Sequence, residues 1–277
     1  MSWNVTSDVE SYVREAGAFL RADVTENTVP LTVIETLLAE GSDAFGPDPL
    51  FGWWHADGVR GAFLQTGAFP LLVSDMPEDA VESLADVLAD RELAGVVGGT
   101  PTARAFAARW ERLTKVVVSV RMRQRLYRLE TLETPAHIPG GPRVAGPRDR
   151  DLVHEWFAAF EDEAGGVGED STRLIDERMS YGGVLLWEVA GEPVAMAGRT
   201  RVAAGMARIG PVYTPPSHRR RGYGAVVTAA TSRSALDAGA EHVLLFTDLA
   251  NPTSNGVYQR IGYRAVSDCL ALSFAPR

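Results

Sequence analysis

The chain has 277 residues, which is enough for one large domain or two small ones. Its hydrophobic content of 45% and charged content of 23% are those of an ordinary globular protein, and its apolar stretches are too short to span a membrane. The formal net charge of −9 at pH 7 argues against a general nucleic-acid binder, which is normally basic.

Cysteine and histidine usage argues against a metal site. Cys269 is the single cysteine, which excludes an internal disulfide and argues against a cysteine-built metal centre. The five histidines are scattered without the close spacing of metal ligands. The first residues lack a basic segment followed by an apolar run, so we expect no signal peptide, no membrane partner and a cytoplasmic location. The sequence leaves the oligomeric state open.

The first half of the chain predicts alternating strands and helices. Apolar, β-branched runs predict strands at residues 61–66, 69–74, 95–98, 116–121 and 125–129. Helical periodicity predicts helices at residues 77–91 and 100–114.

A segment dense in proline and glycine, residues 134–147, separates the two halves. Such a composition breaks both helix and sheet, so it predicts a linker, which we place at residues 135–142. The resulting domains, residues 1–134 and 143–277, both have the usual size of a domain.

The second half predicts a mixed α/β domain whose early sheet is largely antiparallel. Helices are predicted at residues 149–163, 172–180 and 225–238, with a glycine-rich loop at 165–168 between the first two. Strands are predicted at residues 143–145, 184–190, 194–202, 206–214, 242–248 and 270–274. The first half shows a degraded version of the same order, which indicates a tandem pair of related domains.

A basic run with two glycines, residues 219–224, lies between the strand at 206–214 and the following helix. The first backbone N–H groups of a helix have no internal partner, and the positive end of the helix dipole lies there. Glycine lets a ligand approach the backbone closely, so the position favours a phosphate site. Three arginines in a loop are also typical of a solvated patch, and that alternative stays open. Because the protein is acidic, a local basic site suits one small anionic ligand.

A second segment, residues 251–263, follows the strand at 242–248. Asn251 can cap a helix whose first residue is Pro252, and Gly262 can close that helix. Tyr258 lies about two turns into it, where a core aromatic would also be ordinary. Asn255 is one turn after Asn251 and is expected to face solvent.

Together these two segments resemble the Gcn5-related N-acetyltransferase (GNAT) superfamily. In that family a Gln/Arg-X-X-Gly-X-Gly/Ala loop after the fourth strand wraps the pyrophosphate of acetyl-coenzyme A, and here it matches Arg219, Gly222 and Gly224. The family's later Asn and Tyr match Asn251 and Tyr258.

The trailing Ile261-Gly262-Tyr263 is similar to the family's Leu-Gly-Phe ending, and the resemblance covers residues 143–277. It implies an α/β fold of two tandem acetyltransferase-like domains, each a mixed, largely antiparallel sheet flanked by helices.

The resemblance implies acetyl-CoA as the acetyl donor and a role for each matched residue. Tyr258 would protonate the departing thiolate, and Val212 would offer its backbone N–H to the thioester carbonyl. Asn251 would bind the cofactor, cap its helix, or do both. The implied cofactor-binding residues are Val212, Tyr213 and Thr214 along the pantetheine arm, Arg219, Arg220, Arg221, Gly222, Tyr223, Gly224 and Ala225 around the pyrophosphate, and Asn251.

Neither the general base nor the acceptor site is assigned. The strand at 206–214 carries no carboxylate, and Glu161, Glu163, Asp170 and Asp248 are weak candidates for the base. The aromatic groups Trp53-Trp54-His55 and Trp156-Phe157 would line an acceptor pocket or, as the more ordinary alternative, pack in the core.

The first half has Asp75, Glu78 and Asp79 where the second half has its arginines and glycines. Carboxylates suit a helix start as caps but repel a pyrophosphate. We therefore expect the N-terminal domain to be a degenerate copy that does not bind coenzyme A, and that is structural or shapes the acceptor site.

The leading hypothesis is an acetyl-CoA-dependent N-acetyltransferase that acts on a primary amine of a small molecule or peptide. The alternative is a non-catalytic acyl-CoA-binding regulatory protein, which the missing base would suit. A pure interaction module leaves the arginine and glycine loop unexplained.

Overall fold

The computed structural model describes residues 1–164 and 172–277, and within them the chain forms two compact units. Unit 1 comprises Met1–Leu126, Asp248–Ala250 and Val266–Arg277, and unit 2 comprises Tyr127–Thr247 and Asn251–Ala265. The predicted loop 165–168 and the candidate base Asp170 lie outside the described residues. No described helix is both long enough and apolar enough to cross a membrane.

Unit 1 is a sheet flanked by four helices among its described residues. The elements in chain order are β1 (Ser2–Thr6), α1 (Val9–Ala22), α2 (Thr28–Glu40), β2 (Leu50–Ala56), β3 (Gly58–Gln65), β4 (Leu71–Val73), α3 (Glu78–Val87), β5 (Gly95–Gly99), α4 (Thr100–Thr114) and β6 (Val117–Leu129). Strands β1 to β4 pair antiparallel in sequence order, and β5 pairs parallel to β4.

Unit 2 repeats this order element by element. Its elements are β7 (Gly141–Val144), α5 (Arg150–Ala164), α6 (Thr172–Ser180), β8 (Val184–Val189), β9 (Glu192–Arg199), β10 (Met206–Tyr213), α7 (Tyr223–Asp237), β11 (His242–Asp248), α8 (Pro252–Arg260) and β12 (Tyr263–Ala275). Strands β7 to β10 pair antiparallel in sequence order, and β11 pairs parallel to β10. The common order shows that both halves have one architecture, as predicted.

The last strand of each repeat does not stay with its own unit. Residues from Val266 onward in β12 belong to unit 1, where Cys269 to Ser273 pair antiparallel with Gly99 to Gly95 of β5. Residues from Tyr127 onward in β6 belong to unit 2, where β6 neighbours β11. The units therefore do not follow the predicted boundaries at 134 and 143, because strand pairing joins residues far apart in sequence. The division into functional domains stays a prediction.

The sequence missed several elements of the first half. Residues 116–121 and 125–129 were predicted as two strands but form one continuous strand, β6. Strands β1 and β2 and helices α1 and α2 were not predicted at all. Helix α1 nevertheless carries a clear local signal, since Asp8 caps it by accepting from the N–H groups of Glu10 and Ser11.

Unit 2 packs helices against both faces of its sheet. On one face, Trp156 and Phe157 of α5 and Ile175 of α6 are buried with Met196 and Tyr213 of the sheet. On the other face, α7 and α8 cover the alternate residues of β9, β10 and β11. Trp156 and Phe157 are thus core residues, and Trp54 of unit 1 is buried as well.

An ion-pair network holds the start of unit 2 together. The guanidinium of Arg143 on β7 donates to Asp149 at 2.6 and 2.9 Å and also bonds Glu188 on β8. Asp149, which is 6% exposed, accepts a further bond from the Gly146 N–H at 2.8 Å. The Arg143 hydrogen bonds are the largest cause that lowers the pKa of Asp149 below its ordinary value.

We expect Asp149→Asn to lower the free energy of unfolding by about 2 kcal/mol at pH 7, because a buried charged hydrogen-bond acceptor is lost. Since folding depresses the pKa of Asp149, its contribution is present above the unfolded value of about 3.9 and is lost as pH falls through the folded value. The difference between wild type and variant should therefore shrink below about pH 4.

Urea unfolding at several pH values measures this difference. Asp176→Asn is the matched control, because Asp176 is 40% exposed in its pairs with Arg150 and His154, so that this substitution should lower the stability less than Asp149→Asn does. Equal losses from the two variants would contradict the role given to Asp149.

Candidate active site

Strands β10 and β11 run parallel only over their first four residues. The pairing runs from Met206 and His242 to Ile209 and Leu245 and then stops. On its other edge, β10 bulges between Ile209 and Val212 and stays paired with β9 through Tyr213. The edge of β10 that faced β11 is therefore unpaired from Gly210 to Tyr213 in the described register, and its backbone is available to an extended ligand.

The side chains along this edge of β10 are less accessible to a ligand than its backbone. Tyr213 is buried 6.1 Å from Trp156, so only its backbone can meet a ligand. Val212 is half-buried and packs against clusters of α7 and α8. Thr214 follows the end of the strand, and its carbonyl accepts from Arg219 Nε at 2.9 Å.

The loop between β10 and α7 presents a run of backbone N–H groups. Arg220 and Gly222 have left-handed backbone conformations, with φ of +61° and +84°. From Arg220 to Gly224, no N–H group donates to an acceptor among the described residues. The next one, at Ala225, donates to the Gly222 carbonyl at 3.0 Å. The run of N–H groups without an acceptor among the described residues therefore ends at Gly224.

Alternating right- and left-handed residues turn successive N–H groups toward one concave side, which is an anion-binding geometry. The start of α7 adds the positive end of its dipole, and the helix has no side-chain cap that would occupy this position. The side chains of Arg220 and Arg221 are exposed beside it. The site can therefore take a phosphate or pyrophosphate.

Arg219 uses its side chain to hold the loop in place. Its Nη2 bonds both carboxylate oxygens of Glu163 on α5, at 2.6 and 2.7 Å, and its Nε bonds the Thr214 carbonyl. These contacts occupy the edge of the Arg219 guanidinium that would have been available to the pyrophosphate in the role that the resemblance implies. They also take Glu163 out of the group of carboxylates that could act as a base.

The two glycines of the loop serve different needs. A Cβ at Gly222 would come 2.8 Å from Ile138 Cδ1, and its φ of +84° strains any other residue. A Cβ at Gly224 would meet only Thr214 Oγ1 among the described atoms, at 3.6 Å, an ordinary contact. Gly222 is thus required by the fold of the loop, whereas the space over Gly224 is open.

Helix α8 begins as predicted. Asn251 Oδ1 accepts from the Ser254 N–H at 3.0 Å, so Asn251 caps the helix, and Pro252 is its first residue. Asn255 does not simply face solvent as predicted, because its Oδ1 accepts from the Tyr127 hydroxyl at 2.9 Å. Tyr127 arrives from β6, so the sequence of α8 alone could not show this contact.

Tyr258 is 9% exposed and lies in the same apolar cluster as Val212 of β10 and Ala225 of α7. Its ring meets that of Tyr263 edge-on at 6.2 Å. Its hydroxyl makes no hydrogen bond to the described residues. Burial raises the pKa of Tyr258 to about 12, so the phenol carries its proton at neutral pH.

A family model described as FR47-like protein matches residues 188–272, which run from β8 into β12. Among curated proteins, none matches the sequence significantly. A GCN5-related N-acetyltransferase from Sphaerobacter thermophilus is 14% identical, with a TM-score of 0.63 over 98% of this chain and 95% of its own. A GNAT-family acetyltransferase from Colwellia psychrerythraea is also 14% identical, with a TM-score of 0.59 over 100% of both chains.

The chain has the GNAT fold. A tandem GNAT protein from the clavulanic acid biosynthesis pathway is 13% identical, with a TM-score of 0.54. The match covers 99% of this chain and 98% of that protein's chain. This end-to-end similarity agrees with the element order repeated in the two units. The predicted fold class, mixed α/β with two tandem acetyltransferase-like domains, is therefore confirmed.

Within the GNAT fold of unit 1, acidic residues stand where unit 2 has its N–H run. Glu78 and Asp79 form the first turn of α3, which follows β4 as α7 follows β10. Asp75 accepts from Thr102 at 3.0 Å, and Asp79 accepts from the Ala80 N–H at 3.0 Å. The carboxylates of Asp75 and Asp79 thus form hydrogen bonds within unit 1.

Two features near the GNAT loop were missed from the sequence. His218, just before Arg219, has the single buried side-chain N or O atom of the described residues that lacks a hydrogen-bond partner, its Nδ1. Arg178 of α6 donates to the Gly210 carbonyl at 2.7 Å, where β10 leaves β11. No local sequence pattern marks either residue, because the burial of His218 and the contact of Arg178 arise only in the folded chain.

The candidate bases have other partners or lie outside the described residues. Asp248 accepts from the Ala250 N–H at 2.8 Å, and Glu161 has an interaction of its own. With Glu163 paired to Arg219, no general base stands out in the part of the chain that the structure describes.

Proposed function

We propose that this protein is an acetyl-CoA-dependent N-acetyltransferase that transfers the acetyl group to a primary amine of a small molecule or peptide. The observation that carries the proposal is the run of N–H groups from Arg220 to Gly224, which directly follows the unpaired edge of β10. The N–H run would bind the negatively charged pyrophosphate of the donor, and the unpaired edge of β10 would form hydrogen bonds with its pantetheine amides.

In this proposal the residues act in sequence along the donor. The N–H groups of the loop hold the pyrophosphate, and the backbone of Val212, Tyr213 and Thr214 pairs with the pantetheine arm. The Val212 N–H polarises the thioester carbonyl, which lowers the barrier to attack by the amine. The nitrogen forms a bond to the carbonyl carbon, and the carbon–sulfur bond breaks.

The protons must then be balanced. The amine nitrogen loses a proton, and the departing thiolate gains one from the Tyr258 hydroxyl. Water provides a route for the first proton, since no carboxylate among the described residues is placed for that task. Asn251 contributes to the site by starting α8, which carries Tyr258.

Calorimetry with acetyl-CoA tests the first part of the proposal, and we expect saturable binding of one molecule per chain. A single site follows because the corresponding position in unit 1 carries Glu78 and Asp79, which repel a pyrophosphate. Two equivalent sites would mean that unit 1 also binds the donor. Absence of binding would overturn the proposed function.

The second candidate is a non-catalytic acyl-CoA-binding regulatory protein, which the pairing of Glu163 with Arg219 favours because no base remains assigned. Thiol release from acetyl-CoA separates the candidates. An N-acetyltransferase releases free CoA faster when an acceptor amine is added, and mass spectrometry finds the acetylated amine. A protein that binds acetyl-CoA with no release across a broad panel of amines fits the second candidate.

A further inference from the structure

An arginine lies where the two parallel strands separate, and it has no acidic partner among the described residues. Arg178 of α6 donates from Nη1 to the Gly210 carbonyl at 2.7 Å, and its Cζ lies 5.8 Å from the centroid of the Phe157 ring. Glu177 is close enough to act on Arg178 electrostatically, but its carboxylate pairs with Arg201 at 2.6 Å. The charge of Arg178 is thus not neutralised by the described residues.

A second guanidinium is close to the first. Alternate strand residues share a face, and Ala207 and Ile209 are buried on the side of α7 and α8, so Arg208 and Gly210 face α5 and α6. Burial, and after it the positive charge of Arg178, lowers the pKa of Arg208 to about 10. Arg208 has an interaction of its own, so Arg178 is the guanidinium of this face that lacks a carboxylate partner among the described residues, and its charge favours a bound anion.

The donor geometry of the Arg178 guanidinium indicates which kind of anion would bind there. Arginine has five N–H donors in a planar fork, and the Gly210 carbonyl takes one of them. The Nε and Nη2 groups of Arg178 have no acceptor among the described residues, and the fork matches a carboxylate or a phosphate in two parallel hydrogen bonds. An acyl thioester carries no such group at its reacting end.

The position of Arg178 on the chain also limits the size of the acceptor. Gly210 is two residues before Val212, so their Cα atoms are at most roughly 7 Å apart even in extended chain. A small molecule with an anionic group at Arg178 can therefore place an amine near the thioester carbonyl.

We propose that the acceptor is a small amine that also carries an anionic group, a carboxylate or a phosphate, and that Arg178 binds this group. The inference rests on the proposed function, since it names the class of acceptor for the same site. It makes Arg178 a residue that determines specificity and leaves acetyl-CoA binding to the loop after β10.

Matched pairs of amines test the proposal by thiol release. Lysine is compared with cadaverine and γ-aminobutyrate with propylamine for the carboxylate, and phosphoethanolamine with ethanolamine for the phosphate. We expect kcat/KM to be on the order of 10- to 100-fold higher for the anionic member of at least one pair, and the preferred pair identifies the anion. Equal or lower rates for the anionic member of every pair would overturn the proposal.

Arg178→Met should remove this preference by raising KM for the anionic amine while kcat changes little, because the lost contact is made equally in the ground and transition states. A purely structural role for Arg178 would lower the rates of both members alike and so leave the ratio unchanged. Arg150→Met is the control, since Arg150 is exposed on α5 and paired with Asp176 at 2.7 Å.

Binding without turnover separates this proposal from the proposed function. Saturation-transfer NMR on the CoA-saturated protein detects the same amines whether or not they react. If acetyl-CoA binds but no amine speeds thiol release, selective binding of the anionic amines to wild type and its loss in Arg178→Met still support the anion site. Absence of selective binding in wild type would refute the site, whatever the activity.

Discussion

Replacing Gly224 by glutamate is expected to weaken acetyl-CoA binding at least about 100-fold, because a like charge placed against the pyrophosphate costs several kcal/mol. The backbone of Gly224 is helical, and a Cβ there would meet only Thr214 Oγ1 among the described atoms, at 3.6 Å. The side chain therefore enters open space next to the N–H run and does not disturb the packing. The change should leave the melting temperature nearly unaltered.

Gly224→Ala is the matched control, since it adds the Cβ without the charge and should change the affinity little. Calorimetry measures both variants, and a thermal melt confirms that they are folded. Gly222→Glu is a less informative variant, because Gly222 has a φ of +84° and Ile138 lies against it, so the substitution would strain the loop itself. Unchanged affinity in folded Gly224→Glu would remove the loop from the binding site.

Removing the Tyr258 hydroxyl is expected to lower kcat by about 10², with little effect on acetyl-CoA affinity. The ring remains in Tyr258→Phe, so the cluster with Val212 and Ala225 keeps its packing. General acid catalysis contributes about 10²–10⁴, and the structure favours the low end. Burial raises the pKa of Tyr258 to about 12, whereas a thiol titrates near about 8.5, so full proton transfer is uphill by about 5 kcal/mol.

The ordinary pKa values of a phenol and a thiol lie within about two units of each other, and burial of Tyr258 widens that gap. The hydroxyl then acts largely by hydrogen bonding to the sulfur as its charge develops. It should keep its proton up to about pH 10, so the wild-type rate should show no decline from Tyr258 between pH 7 and 10.

Tyr263→Phe is the matched control for the same cluster. Its hydroxyl is already bonded to Ser232 Oγ at 2.7 Å, so its loss should lower stability and leave kcat nearly unchanged. Single-turnover kinetics with an established acceptor separate chemistry from product release. Wild-type turnover in Tyr258→Phe, with chemistry rate-limiting, would make Tyr258 a packing residue.

Local sequence patterns determined much of the second half of this protein. Helix α6 begins and ends at the predicted residues, and β11 does as well, because apolar periodicity and strand propensity act over neighbouring positions. The Asn251 cap and the glycine loop were predicted for the same reason. Capping and left-handed turns need only the few residues that form them.

Tertiary structure decided what depends on partners distant in sequence. Strand β12 pairs with β5 and not with its own repeat, and Asn255 is held by Tyr127. Arg219 is occupied by Glu163, 56 residues away, and Arg178 reaches Gly210, 32 residues away. Composition and periodicity carry no signal for such contacts, because they arise only when the chain brings these residues together. The sequence therefore determined where the arginine and glycine loop lies, and the fold decided which of its N–H groups have no acceptor among the described residues.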